Sequence, residues 1–223
     1  MRLTYLDHAS PTGSAGAPTV VVVHREGLTG AAGLDELVAT VRQAGAGRVV
    51  APVGNYAAYP SGMEIGGTCW YRILPGYAGT DPISLATAVV QLVDLLDDLA
   101  TEQPGAGPPA LVGWGQGALV ALGAGLLEPG RVASVACVDA VDTHLPLLPG
   151  PCFDRPVRPT VLLLSGAVGG EPESDRCRAT LAGRGVPAET RPLDGPSGLA
   201  GVLSGWLGTG ADERLPTAER GWG

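Results

Sequence analysis

The chain has 223 residues, 45% of them hydrophobic, 16% charged and 4% aromatic, a length that suits one domain burying roughly 70% of its unfolded surface. A net charge of -8 offers a phosphate backbone no electrostatic footprint, so no nucleic-acid partner is expected. The fourteen basic residues are all Arg, which excludes a Schiff-base enzyme and a phosphate-binding loop that needs its Lys.

In chain order, Met1-Arg2-Leu3-Thr4-Tyr5-Leu6-Asp7 alternates and then meets a polar Gly/Pro stretch. It lacks a charged-then-apolar leader pattern, and no apolar run approaches the ~18–20 residues of a membrane span. A cytoplasmic protein with no membrane association is expected. Thr19-Val20-Val21-Val22-Val23-His24 is a short, β-branched run that predicts a strand covered on both faces. Leu34, Leu37, Val38 and Val41 then take helical spacing up to Gly45, and Val49-Val50-Ala51-Pro52 predicts a second buried strand. A Gly-, Pro- and Tyr-rich loop follows over 53–80, longer than the roughly 12–15 residues beyond which such loops tend to be functional.

Asp81-Pro82 caps the next helix, whose apolar stripe is Leu85, Ala88, Val89, Leu92, Leu95, Leu96 and Leu99. A strand over 109–112 runs into a glycine turn, and 118–127 predicts a buried helix. Further strands are expected at 132–138, 160–164 and 188–193, with helices at 173–182 and 198–207. The segment 139–159 is a Pro-rich loop. Residues 1–207 are expected to form one domain, and 208–223, which lack periodicity, a frayed tail.

Strands alternating with helices predict an α/β class, a doubly wound and mainly parallel sheet. In such sheets ligands lie at the carboxyl ends of strands. That rule gathers 24–27, 53–79, 114–117, 139–144 and 165–170 at one rim. Cys69, Cys137, Cys152 and Cys177 form no close pair, so reduced thiols are expected.

Gly113-Trp114-Gly115-Gln116-Gly117 sits between a strand and a helix. Two sites use such a turn: the nucleophile elbow G-x-S-x-G and the dinucleotide fingerprint G-x-G-x-x-G/A, which Gly113, Gly115 and Ala118 satisfy and for which Asp139 would be the ribose acid. The fingerprint usually opens its fold, whereas two strand–helix units precede this turn, so the elbow reading is preferred. From Thr19 to Leu207 the chain resembles the phospholipase/carboxylesterase family of α/β-hydrolases. Val21-Val22-Val23-His24-Arg25-Glu26-Gly27 is similar to the strand and H-G-x-G oxyanion loop, and Arg48 to Pro52 followed by Trp70-Tyr71 to the next strand and substrate-side loop. Thr160 to Gly166 matches the strand before the triad acid. Asp194-Gly195-Pro196-Ser197-Gly198 matches the turn carrying the triad His.

The resemblance implies an α/β-hydrolase fold with a Ser-Asp-His triad, and this sequence departs from it at all three positions: Gly115, Gly169 and Ser197. No Ser, Thr, Cys, Asp or His occurs from Gly105 to Arg131, so no shift of register supplies a nucleophile. In the oxyanion loop, Arg25 replaces a family Gly and the next residue is Glu26, whose carboxylate would oppose a developing oxyanion. Glu26 either turns to solvent and Arg25, or is an acid/base group in the pocket. Asp139, Asp142 and His144 share one rim loop, and a His oriented by a carboxylate is a plausible general base. His24 is a further candidate, although packing at a strand end is its plainer role.

The substrate-binding candidates are Trp114, Gly115, Gln116, Tyr56, Cys69, Trp70, Tyr71 and Arg72. Tyr59 also falls on the rim. Only ten aromatics exist in the chain, so several at one rim suggest a ligand wall, with core packing of Trp70-Tyr71 as the plainer reading. Cys69 has no His near it in sequence, and no metal-ligand spacing occurs. No cofactor or metal is expected. The partner is a small-molecule substrate or ligand, and a homodimer stays open. The first functional expectation is a non-hydrolytic enzyme acting by cyclisation, dehydration, elimination or rearrangement on a polyketide-like or acyl-derived molecule. The others are a pseudoenzyme that only binds a ligand or protein, and an esterase with a displaced nucleophile.

Overall fold

Four consecutive valines can lose all their water only inside a sheet covered on both sides, and Val20 to Val23 are fully buried in the computed structural model. It describes residues 2–9, 16–27, 30–57, 60–61, 63–64, 67–73, 79–165, 170–193 and 195–208. In chain order the strands are β1 (Tyr5–Ala9), β2 (Thr19–Val23), β3 (Arg48–Pro52), the two-residue β4 (Tyr56–Ala57), β5 (Pro60–Ser61), β6 (Met63–Glu64) and β7 (Thr68–Cys69), then β8 (Ala110–Trp114), β9 (Ser134–Val138), β10 (Thr160–Ser165) and β11 (Ala188–Pro192). The helices are α1 (Gly30–Gln43), α2 (Pro82–Glu102), α3 (Gln116–Leu127), α4 (Gly170–Ala182) and α5 (Gly195–Gly208).

Seven strands make one sheet in the order β1-β3-β2-β8-β9-β10-β11. All neighbours are parallel except β1, which runs antiparallel to β3 with Tyr5 opposite Pro52 and Ala9 opposite Arg48. Alternate residues of the central strands feed two apolar layers. Val21, Val23, Leu111, Val135 and Leu163 pack with α2, α3 and α4. Val20, Val22, Val112, Val138 and Leu164 pack with α1 and α5. This is the doubly covered parallel sheet that the alternation of elements predicts.

The expected strands and helices are present, with ends moved by a few residues. Asp81 caps α2 as expected, its carboxylate accepting the N–H of Ile83 at 3.1 Å. The strand β1 was not expected. Arg48 holds it, donating to Asp7 at 2.6 Å and to Glu102 at 3.0 Å, while the Tyr5 hydroxyl donates to Glu102 at 2.9 Å. The 53–80 loop is partly ordered by pairing of β4 with β7. Of the expected tail, Gly208 ends α5 and residues 209–223 lie outside the described residues.

Candidate active site

The site is built on the turn between β8 and α3. Trp114 ends the strand and Gln116 begins the helix, so Gly115 alone makes the corner, at φ +54° and ψ -118°. A side chain in that region carries backbone strain. The flanking glycines answer a different need. A Cβ on Gly113 would stand 2.3 Å from the Gly117 carbonyl oxygen, and one on Gly117 only 2.1 Å from that of Val23. Strand, corner and helix therefore meet backbone to backbone.

Glu26, on the loop after β2, turns onto this corner. Its Oε2 accepts the backbone N–H of Gln116 at 3.0 Å, an arrangement favoured by the unsatisfied N–H groups and dipole at a helix N-terminus. Of the two expectations for Glu26, the pocket-facing one describes its position. The amide that follows an elbow apex is thus already engaged by a carboxylate of the same chain.

Above the corner lies a cleft with about 620 Å³ of empty space, open mouth included. Glu26, Asp139 and His144 line it together with Tyr71, Trp114, Gly115 and Gln116. Sequence reasoning did not single out Ile73, Leu119 and Val141 as lining residues. Val141 was within reach, because it lies between Asp139 and His144. Leu119 was recoverable as the residue one helical turn beyond Gly115. Ile73 carried no signal.

Asp139 follows β9 and has φ +52°, the one positive φ at a non-glycine among the described residues. Its N–H donates to the Leu164 carbonyl at 3.0 Å, and its Oδ2 accepts the indole N–H of Trp114 at 3.2 Å. His144 sits in a 3-10 turn over Asp142–Leu147. Its Nδ1 lies 3.3 Å from the Tyr71 hydroxyl, with the rings edge to face. Burial pushes the His144 pKa below the ordinary histidine value, partly opposed by the charges of Glu26 and Glu173, so the ring is neutral at neutral pH. Burial first, and then Glu26 and Cys69, push the Tyr71 hydroxyl up. It keeps its proton and pairs with Nδ1, donating to it or accepting from it according to the His144 tautomer.

Five candidates lie away from the cleft. His24 is 1% exposed and uses both ring nitrogens inside the protein. Nδ1 lies 2.7 Å from the Arg25 carbonyl, and Nε2 accepts the Gly54 N–H at 3.0 Å. Burial holds its pKa down. It fastens the loop after β2 to the loop after β3, the plainer of its two expected roles. Trp70 is core rather than wall. Its indole donates to the His24 carbonyl at 2.8 Å and its ring lies 5.0 Å from the His24 ring. Cys69 is buried, and burial followed by the Glu26 charge pushes its thiol up, away from the thiolate a nucleophile needs. Tyr56 lies under the Arg72 guanidinium at 5.0 Å; neither lines the cleft. The Gln116 side chain is likewise committed, its Oε1 accepting the N–H of Trp70 at 3.0 Å and its Nε2 donating to the Tyr71 carbonyl at 3.2 Å.

Tyr59, Gly169 and Asp194 lie outside the described residues, and Ser197 falls in the first turn of α5. None of the four cysteines forms a disulfide. Among the described residues no group of three His, Cys, Asp or Glu is placed to hold a metal ion, and no helix is long and apolar enough to cross a membrane.

Sheet order, the antiparallel edge strand, helices on both faces and the sharp turn after β8 define an α/β-hydrolase fold. Solved structures agree with that class. The chain is similar to esterase PE8 at 21% identity and a TM-score of 0.67, covering 96% of this chain and 100% of that one. It is similar to acyl-protein thioesterase 2 of Zea mays at 17% and 0.63, covering 92% and 97%. It is also similar to a carboxylesterase of Bacillus cereus at 16% and 0.65, covering 96% and 95%. No protein-family model and no curated protein sequence matches the chain.

Proposed function

We propose that this chain is a cytoplasmic small-molecule enzyme of the α/β-hydrolase fold that forms no acyl-enzyme and works by general acid–base chemistry. On this reading Gly115, Gly169 and Ser197 hold the positions of the triad. The substrate is polyketide-like or otherwise acyl-derived, and the reaction is a cyclisation, dehydration, elimination or rearrangement. Glu26 serves as the base, and His144, held beside the Tyr71 hydroxyl, as the proton donor; Asp139 orients Trp114 in the wall. The observation that carries the reading is the bond from Gln116 N–H to Glu26. An acyl-enzyme route needs that amide for an oxyanion, and here a carboxylate holds it.

A second reading, hydrolysis through a displaced nucleophile, is favoured by the esterases and thioesterase with which the chain shares its fold. Fluorophosphonate labelling followed by mass spectrometry, with p-nitrophenyl acetate turnover alongside, separates the two. Neither an adduct nor turnover is expected. A stoichiometric serine adduct would establish the second reading. Proton exchange or elimination on β-hydroxycarbonyl compounds, lost in Glu26→Gln, supports the first. Binding of such compounds with no reaction leaves a ligand-binding pseudoenzyme.

A further inference from the structure

Gln116 holds two sides of the cleft with different parts of itself. Its main-chain N–H donates to Glu26 Oε2 at 3.0 Å. The residue is 6% exposed, and its side chain reaches the segment that follows β7. Trp70 and Tyr71 there are each 1% exposed, so their main-chain polar groups need partners inside the protein. Gln116 Oε1 accepts the N–H of Trp70 at 3.0 Å and that of Tyr71 at 3.4 Å, and Nε2 donates to the Tyr71 carbonyl at 3.2 Å. Reversing the amide would set its N–H groups against two donors and its oxygen against a carbonyl, so only one orientation serves. The amide thereby takes both main-chain groups of Tyr71, as a neighbouring strand would.

Tyr71 carries this constraint into the cleft. With its main chain pinned and its side chain buried, its hydroxyl is delivered 3.3 Å from His144 Nδ1, and the two rings meet edge to face. The tyrosine covers one side of the imidazole, while Glu26, on the loop after β2, and Glu173, on α4, bring charge to it. We propose that Gln116 is the positioning residue of this cleft: its main chain sets Glu26, and its side chain sets Tyr71 and through it the surroundings of His144. Resting on the reading in which Glu26 and His144 act in the cleft, this role needs no contact between Gln116 and the ligand. A change confined to the side chain leaves the bond to Glu26 in place and releases only the Tyr71 side.

Gln116→Met keeps the volume and the main-chain donor and removes all three side-chain bonds. NMR titration of the His144 imidazole in the full chain, beside thermal melts, reads the effect. His144 is expected to titrate closer to the free value of about 6.5, because a displaced Tyr71 lets water reach the ring. Val41→Ala, buried against the opposite face of the sheet, is the control: it lowers the melting temperature and is expected to leave His144 unmoved. If Gln116→Met does not fold, Gln116→Asn, whose amide falls one methylene short of Tyr71, gives the same measurement. A lowered melting temperature with His144 unmoved, an equal movement in Val41→Ala, or failure of both Gln116 variants to fold makes Gln116 structural and overturns the proposal. On a β-hydroxycarbonyl compound turned over by the unaltered protein, Gln116→Met is expected to lower kcat by up to about 100-fold with KM little changed. A raised KM at unchanged kcat would make Gln116 a ligand contact and overturn the proposal as well. No turnover by the unaltered protein would end the acid–base reading, while the response of His144 to Gln116→Met still decides the placement of Tyr71, so the two fail separately.

Discussion

On the proposed acid–base reading, Glu26 has a structural role, holding the Gln116 N–H, and a chemical one on the same carboxylate, and a conservative change separates them. Glu26→Gln keeps an oxygen for the Gln116 N–H but removes the base. Stability is expected to fall by no more than about 1 kcal/mol, the usual worth of a charge at a helix N-terminus, and turnover of the true substrate by roughly 10²–10⁴-fold. Thermal melts beside turnover measurements check this, and equal losses in both would make Glu26 a structural residue. Two of the described histidines, the buried His24 and the half-buried His144, give a pH signature. Burial depresses the pKa of His24 and His144 alike. Between each folded pKa and the unfolded value of about 6.5, the unfolded chain binds more protons. Stability therefore rises with pH across that interval and is lost as pH falls below about 6.5. Urea midpoints are expected to drop from pH 7 to about pH 5.5, with both imidazoles titrating by NMR below the free value. A His144 imidazole titrating above about 6.5 contradicts the neutral ring on which its proposed role depends.

The elements most legible in the sequence are those whose physics is local or whose burial is complete. β2 shows as a continuous apolar run because both its faces are covered, and α2 shows its start because Asp81 and Pro82 are a cap and a first-turn residue. β1 escapes because an edge strand of five residues, held by Arg48 to Asp7 across 41 positions, owes its place to tertiary contacts. The start of α3 was expected two residues late, because the helix is buried all round and has no apolar stripe to mark it. Its true start is set by the close approach at Gly117. That approach separates glycines of one composition-rich set. Gly117→Ala drives a methyl into the Val23 and His24 carbonyls, at 2.1 and 2.4 Å, and is expected to destabilise by about 2–4 kcal/mol or prevent folding. Gly201→Ala, within α5 and with nothing within 4 Å, is expected to stabilise by about 0.5–1 kcal/mol. Denaturant midpoints of the two variants check the contrast, and similar values for both would mean that the corner can relax.

For the whole molecule, topology carried the prediction further than residue type did. Glu26, Asp139 and His144 come from three separate loops, yet they line one cleft because parallel strands deliver their carboxyl ends to one rim. Residue type misled at Trp70. An aromatic beside a site suggests a wall, and only the fold shows its indole bonded to the His24 carbonyl and its ring under the histidine. A shared scaffold likewise fixes where a ligand binds more firmly than what happens to it. A triad is a property of several loops at once, which makes the response to Gly115→Ser a test at this scale. The new hydroxyl would start from a Cβ 2.8 Å from Glu26 Oε2, beside an amide that the same carboxylate holds. It would meet an acceptor but no oxyanion donor at Gln116. Of the described histidines, His24 is engaged with Arg25 and Gly54 and His144 with Tyr71, while His8 lies on the edge strand β1 opposite Val49. Nucleophilic catalysis needs nucleophile, base and oxyanion donors together, so Gly115→Ser is expected to show neither a p-nitrophenol burst nor fluorophosphonate labelling. Backbone strain at φ +54° adds about 1–3 kcal/mol of instability, visible as a lower melting temperature in the same samples. A burst equal to the enzyme concentration would mean that Glu26 yields the amide once a serine is present. In that case the carboxylate is a displaceable plug over an intact oxyanion site, and the hydrolytic reading replaces the acid–base one.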